Sequence, residues 1–125
     1  MTTTVNAKTV RDYLEILWNQ GLTEQADAFV AVDLIQHNPN LADGRAPLVE
    51  FIEGARKQMP DFRFELRRLA AEGDLVFAHS HFVPAPGLAG LAVIDVFRLV
   101  DGVIVEHWDV NEAVPETTAS GREIV

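Results

Sequence analysis

The sequence contains no cysteine in 125 residues. That absence removes disulfides, thiolate metal sites and thiol nucleophiles together, and it suits an intracellular location. Cationic residues are also scarce: ten Lys and Arg stand against nineteen Asp and Glu, a net charge of -9. Phosphate backbones demand clustered cations, and only Arg63, Arg67 and Arg68 lie near one another, so nucleic acid is not an expected partner. Small anionic ligands stay open, because local charge in a pocket can oppose the global sign. No apolar run approaches the roughly 20 residues of a membrane span, and Met1-Thr2-Thr3-Thr4 lacks the basic region and apolar core of a leader. The expectation is a soluble, cytoplasmic protein without a membrane partner. Glycine-rich phosphate loops and dinucleotide fingerprints are missing too, and neither Ser80 nor Ser120 sits in a glycine elbow that would make it a nucleophile.

What is present fits one domain over residues 1–125, long enough to bury a core without staples. From about Val5 to Gln20, Val10, Tyr13, Leu14, Leu17 and Trp18 recur at three- and four-residue spacing, which predicts an amphipathic helix with a core-facing stripe. Gly21 ends it, and Thr23 starts a second short helix through about Ala31. Ile35 to Pro39 reads as extended, since proline pushes its predecessor out of the helical region. Pro47 suits the first turn of a third helix to about Met59, with Leu48, Phe51, Ile52 and Ala55 inward.

The period then changes to two. Phe62, Phe64 and Leu66 alternate with charged residues in one strand. Leu75 to Val83 is the next strand, with Phe77, His79, His81 and Val83 on one face and Val76, Ala78, Ser80 and Phe82 on the other. The polar tail, 116–125, shows no pattern and is expected to be mobile. Helices followed by consecutive antiparallel strands predict an α+β fold, with a curved sheet around helices and a hollow between them.

Leu91 to Asn111 carries ionisable residues where strands should be apolar. A two-residue turn at Asp101-Gly102 would pair Val100 with Val103. A three-residue loop with Gly102 in the left-handed position would instead pair Leu99 with Val103 and set Asp95 opposite His107. The second register is preferred, because it gathers Val93, Asp95, Phe97, Val105, His107 and Asp109 on one face. Ile94, Val96, Arg98, Ile104, Glu106, Trp108 and Val110 then take the other, where Arg98 and Glu106 can meet.

A carboxylate among Phe77, Val93 and Phe97 would be poorly hydrated and so suited to acid–base work, with Asp109 the first choice and Asp95 and His107 beside it. His79-x-His81 with Asp95 or His107 is a conceivable metal site, but strand-spaced histidines are commoner as hydrogen-bonded pocket residues, and no metal is expected. The outward apolar residues of the hairpin, if uncovered, predict a homodimer packed sheet to sheet.

Gln36-His37-Asn38-Pro39, Asp43-Gly44-Arg45, Asp95-Val96-Phe97-Arg98 and Glu106-His107-Trp108-Asp109-Val110 resemble the SnoaL-like polyketide cyclases of the NTF2-like superfamily, over about residues 8 to 115. The resemblance implies an α+β cone or barrel, a mostly antiparallel sheet wrapped around three N-terminal helices with a central pocket. It implies cofactor-free chemistry on a small molecule, such as aldol closure of a polyketide ring, with Asp109 as acid/base and Asp95 and His107 orienting or sharing the proton. Isomerases, dehydratases, epoxide hydrolases and proteins without chemistry share the superfamily. His37 and Asn38 would line the mouth; His79, His81, Phe77, Phe97 and Trp108 complete the expected substrate-binding set. Glu112, where relatives often carry glutamine, would add charge near the rim.

Overall fold

Val10, Tyr13, Leu14 and Leu17 form the buried stripe of the first helix, as their spacing predicts. The computed structural model describes residues 2–125. Helix α1 runs over Thr2–Tyr13 and continues as a π-helical turn, Leu14–Asn19, in which the Gln20 N–H reaches the Glu15 carbonyl at 2.9 Å. The wider turn brings residues five apart onto one side, and Trp18 Nε1–H donates to the Tyr13 hydroxyl at 2.9 Å. A 3₁₀ segment, Thr23–Ala28, follows. Helix α2, Arg45–Gln58, buries Leu48 and Ile52. Phe51, expected inward, is 46 % exposed.

Five strands form one open, curved sheet in the order β1-β5-β4-β3-β2. They are β1 Val30–Gln36, β2 Arg63–Glu72, β3 Leu75–Val83, β4 Leu91–Val100 and β5 Val103–Ala113. All neighbours are antiparallel except β1, which lies parallel to β5. The fold is α+β and NTF2-like, with the helical layer on the concave side of a sheet that does not close. Strand β1 begins where the sequence suggested helix. Val30 and Leu34 are buried while Val32 and Asp33 are exposed, so the strand lacks the strict alternation that would mark it.

The β4–β5 hairpin corrects the preferred register. Asp101 and Gly102 both have positive φ (51° and 77°), and Val100 pairs with Val103 across a two-residue turn. A bulge then places the extra residue, Val105, between the Leu99–Ile104 and Arg98–Glu106 pairs. Ile104, expected outward, is therefore buried in the core. Beyond the bulge Phe97 pairs with His107 and Asp95 with Asp109. The turn-plus-bulge differs from the expected register by two residues, an even number, so Asp95, Phe97, His107 and Asp109 still share the inner face.

Strand β3 is turned over relative to its expected facing. Ala78 pairs with Asp95 and Ser80 with Val93, and both small residues are fully buried. Small side chains leave room for α1, which packs on β2 and β3. Phe77, His79 and His81 consequently occupy the outer face.

Candidate active site

The strand pairing puts two carboxylates side by side at one end of a hydrophobic cavity. The cavity has a volume of about 340 Å³ and lies between the helices and the inner face of the sheet. Trp18, Phe51, Phe64, Phe82, Leu41 and Met59 furnish apolar wall; Tyr13, Asn38, Asp95, Asp109 and Asn111 furnish the polar part. Trp18 is the centre of an aromatic cluster, with edge contacts to Phe51, Phe62 and Phe64 at centroid distances of 6.0, 6.1 and 5.2 Å. No Lys, Arg or His is among the cavity-lining residues.

Asp95 is 6 % exposed. Burial pushes its carboxyl above the ordinary value; the hydrogen bond and charge of His107 pull the other way, and the nearby Asp109 charge adds to the rise. His107 Nε2 lies 2.8 Å from Asp95 Oδ1, and Nδ1 lies 2.7 Å from Gln36 Oε1. Phe97 supports the imidazole, ring centroids 5.1 Å apart, and meets Tyr13 edge-on at 5.6 Å. Asp109 is held differently. Asn38 Nδ2 donates to both of its carboxylate oxygens at 3.1 and 2.9 Å, while Asn38 Oδ1 accepts the Asn40 backbone N–H at 2.8 Å, which fixes the amide's orientation. Pro39 and the strand end at Gln36 position this segment, and Asp43 Oδ1 accepts the Gln36 N–H at 2.8 Å.

Of the expected site residues, the structure brings together Asp95, His107, Asp109, Asn38 and Phe97. It separates the others. His37 lies beside the outer face, its ring stacked on Trp108 at 4.8 Å and its Nε2 at 2.7 Å from Glu106 Oε2. Glu106 also accepts from Arg98 Nε at 2.8 Å, and the hydrogen bonds from His37 and Arg98 hold its carboxyl below the ordinary value. His79 Nδ1 accepts from Arg68 at 3.0 Å; His81 meets Arg67 at 3.5 Å and donates to the Ala89 carbonyl at 2.6 Å. Phe77 is exposed on the same side. The conceivable grouping of His79 and His81 with Asp95 or His107 as a metal site therefore does not form. Asp95, His107 and Asp109 instead bring two carboxylate oxygens and an imidazole nitrogen within 4.8 Å of one another, with His107 and Asp95 bound to each other at 2.8 Å.

The sequence reading missed Tyr13 as a site residue. It is buried, and desolvation, with the Asp95 and Asp109 charges adding, raises its phenol well above the ordinary value, so its proton stays on. The available signal was a hydroxyl on an otherwise apolar helical stripe. Gln36 was visible within a motif but without a role.

A hydrophobic cavity between helices and a curved open sheet, with paired acids at its polar end and a histidine bound behind one of them, is the arrangement of an NTF2-like fold. The chain belongs to the SnoaL-like domain family, whose model matches residues 10–107. No curated protein matches the sequence. Among solved structures, similarity extends to a candidate polyketide cyclase from Bacillus cereus, with 22% identity, TM-score 0.76, and coverage of 87% of this chain and 75% of the other. A candidate ketosteroid isomerase from Kribbella flavida gives 20% identity and TM-score 0.74, covering 93% and 84%. An epoxide hydrolase of M. tuberculosis gives 23% identity and TM-score 0.68, covering 90% and 86%. At these identities the likeness concerns the fold. Among the described residues no helix is long and apolar enough to cross a membrane.

Proposed function

We propose that the cavity is the active site of a cofactor-independent acid–base enzyme acting on a hydrophobic, carbonyl-bearing, polyketide-like substrate by aldol cyclisation or isomerisation. The observation that carries this reading is the cross-strand pairing of Asp95 and Asp109 at the polar end of an aromatic cavity, each with its own hydrogen-bond partner. Asp109, an acceptor oriented by Asn38, takes a proton from the carbon next to a carbonyl. The enolate oxygen accepts a hydrogen bond from the Tyr13 hydroxyl or a proton from the Asp95–His107 pair. In a cyclisation the enolate, its oxygen held by Tyr13, attacks a second carbonyl through carbon, and that carbonyl's oxygen takes the proton of the Asp95–His107 pair as the new C–C bond forms. In an isomerisation the proton returns to a different carbon.

A second reading uses the same carboxylate to activate water for epoxide opening or to assist dehydration, supported by the fold shared with the epoxide hydrolase. Oxygen from labelled water appears in the product only for hydrolysis. A pocket that binds ligand without turnover is the non-enzymatic alternative. The deciding experiment is turnover of β-keto and polyketide-like substrates by the wild type and Asp109→Asn. Loss of about 10²–10⁴-fold in kcat supports the assignment, whereas an active protein indifferent to the substitution ends it.

A further inference from the structure

Gln36 makes two hydrogen bonds through one atom, and they determine where the protons of the site reside. We propose that Gln36 is a positioning residue that fixes His107 as the Nδ1–H carrier and so keeps a transferable proton between His107 Nε2 and Asp95. Its catalytic meaning rests on the acid–base reading above; its geometry does not depend on any substrate.

The Asn38 backbone N–H can only donate, and it lies 3.0 Å from Gln36 Oε1. That contact identifies the oxygen of the Gln36 amide, because the reversed amide would set two donors face to face. The same oxygen lies 2.7 Å from His107 Nδ1, and since it only accepts, Nδ1 bears the hydrogen. Gln36 is not free to turn away. It pairs with His107 in the β1–β5 register, and its own N–H is bound to Asp43 Oδ1 at 2.8 Å.

With Nδ1 protonated, Nε2 of a neutral ring is a bare lone pair 2.8 Å from Asp95 Oδ1. A bare nitrogen and a bare carboxylate oxygen at that distance repel, so the contact requires a proton between them. It is either imidazolium with carboxylate or imidazole with carboxylic acid, and in both the pair has zero net charge. If Nδ1 faced an apolar group, the favoured pair would be Nε2–H on the Asp95 carboxylate, with one proton fewer and a net charge of about -1 beside Asp109. Gln36 therefore decides whether the reacting end holds one net negative charge or two.

The proton count closes over a turnover. Asp109 accepts a proton from carbon as the Asp95–His107 pair gives one to oxygen. In a cyclisation the proton on Asp109 then returns to Asp95 through the product hydroxyl; in an isomerisation Asp109 gives it back to carbon, and the enol oxygen returns its proton to the Asp95–His107 pair.

The test is ¹⁵N NMR of the imidazole nitrogens in the full chain without ligand at neutral pH. Only four histidines are present, and the resonance lost in His107→Asn identifies His107. The wild type should show a proton-bearing Nδ1. Gln36→Leu should convert Nδ1 to the unprotonated form, and Gln36→Glu, whose carboxylate accepts the same bonds, should keep it protonated. An unprotonated Nδ1 in the wild type, or a protonated Nδ1 surviving in a folded Gln36→Leu protein, overturns the proposal. If the leucine variant does not fold, the wild-type and glutamate spectra decide. An inactive protein with the stated tautomer would overturn the enzymatic reading and leave the role of Gln36 intact; an active one with the other tautomer would do the reverse.

Discussion

Asp95 and Asp109 stand directly opposite each other on β4 and β5, yet one is bound to an imidazole and the other to an amide. Two carboxylates so close are not equivalent when their surroundings differ. One is buried and tied to a proton-carrying partner; the other is only half-buried and accepts from Asn38. That division of roles yields consequences that can be measured separately.

Asn38 should matter to rate more than to substrate affinity. It donates to both oxygens of Asp109 and is itself locked by the Asn40 N–H. Asn38→Leu leaves the carboxylate without a fixed orientation, and misplacement of a base by about 1 Å costs on the order of 10²-fold. We expect kcat to fall by that order with KM changed only slightly. A variant whose KM rises while kcat holds would place Asn38 in binding alone.

Asp95 makes a pH-dependent contribution of known sign. Its carboxyl is raised in the folded chain, chiefly by burial, from an ordinary value of 3.8. The native state therefore binds this proton more tightly than the unfolded chain. The stabilisation is fully present below the unfolded value and is lost as pH climbs through the folded one. Asp95→Asn lacks this titration. The Tm difference, wild type minus variant, should be most favourable to the wild type near pH 3.5 and should decline as pH rises above about 4. A difference that is flat or grows with pH would contradict the burial argument.

How much of this site could be read from sequence depended on periodicity. The inner face of β5 was recognisable because His107 and Asp109 alternate with Glu106, Trp108 and Val110, and the bulge at Val105 restored the parity that the turn changed. Strand β3 offered two equally regular faces, and the aromatic and histidine face looked like the pocket face. Packing decided otherwise, because α1 needed Ala78 and Ser80 beneath it. Tyr13 and Trp18 read as core because a helical stripe is silent about a hollow next to it. Their pairing depends on a π-helical turn that no spacing rule announced.

The two tryptophans report on different faces. Trp18 lines the cavity, whereas Trp108 lies outside it, stacked on His37. In Trp108→Phe all indole emission comes from Trp18. A hydrophobic ketone such as 2-acetylnaphthalene should quench or shift that emission saturably, and Trp18→Phe should show no saturable change from Trp108. Equal responses from both variants would place ligand binding elsewhere.

The outer sheet face leads to the last expectation, that the protein is a homodimer through this surface. Val110 is 68 % exposed, Ile35 43 % and Phe77 41 %, while Ile94, Val96 and Trp108 are half-buried around them. The chain covers only part of this face with its own tail: Ile124 borders a groove formed with His79, Ile94 and Val110. Contiguous apolar surface of this kind favours burial against a second copy, and a two-fold arrangement closes it most simply. Val110 is the best probe, because it is exposed and makes no part of the cavity, so its substitution tests assembly without touching the site. Light scattering at micromolar concentration should give twice the chain mass for the wild type and a shift toward the single-chain mass for Val110→Glu. A wild-type protein that scatters as a monomer there would remove the dimer, and the outer face would then have to be explained by the tail alone.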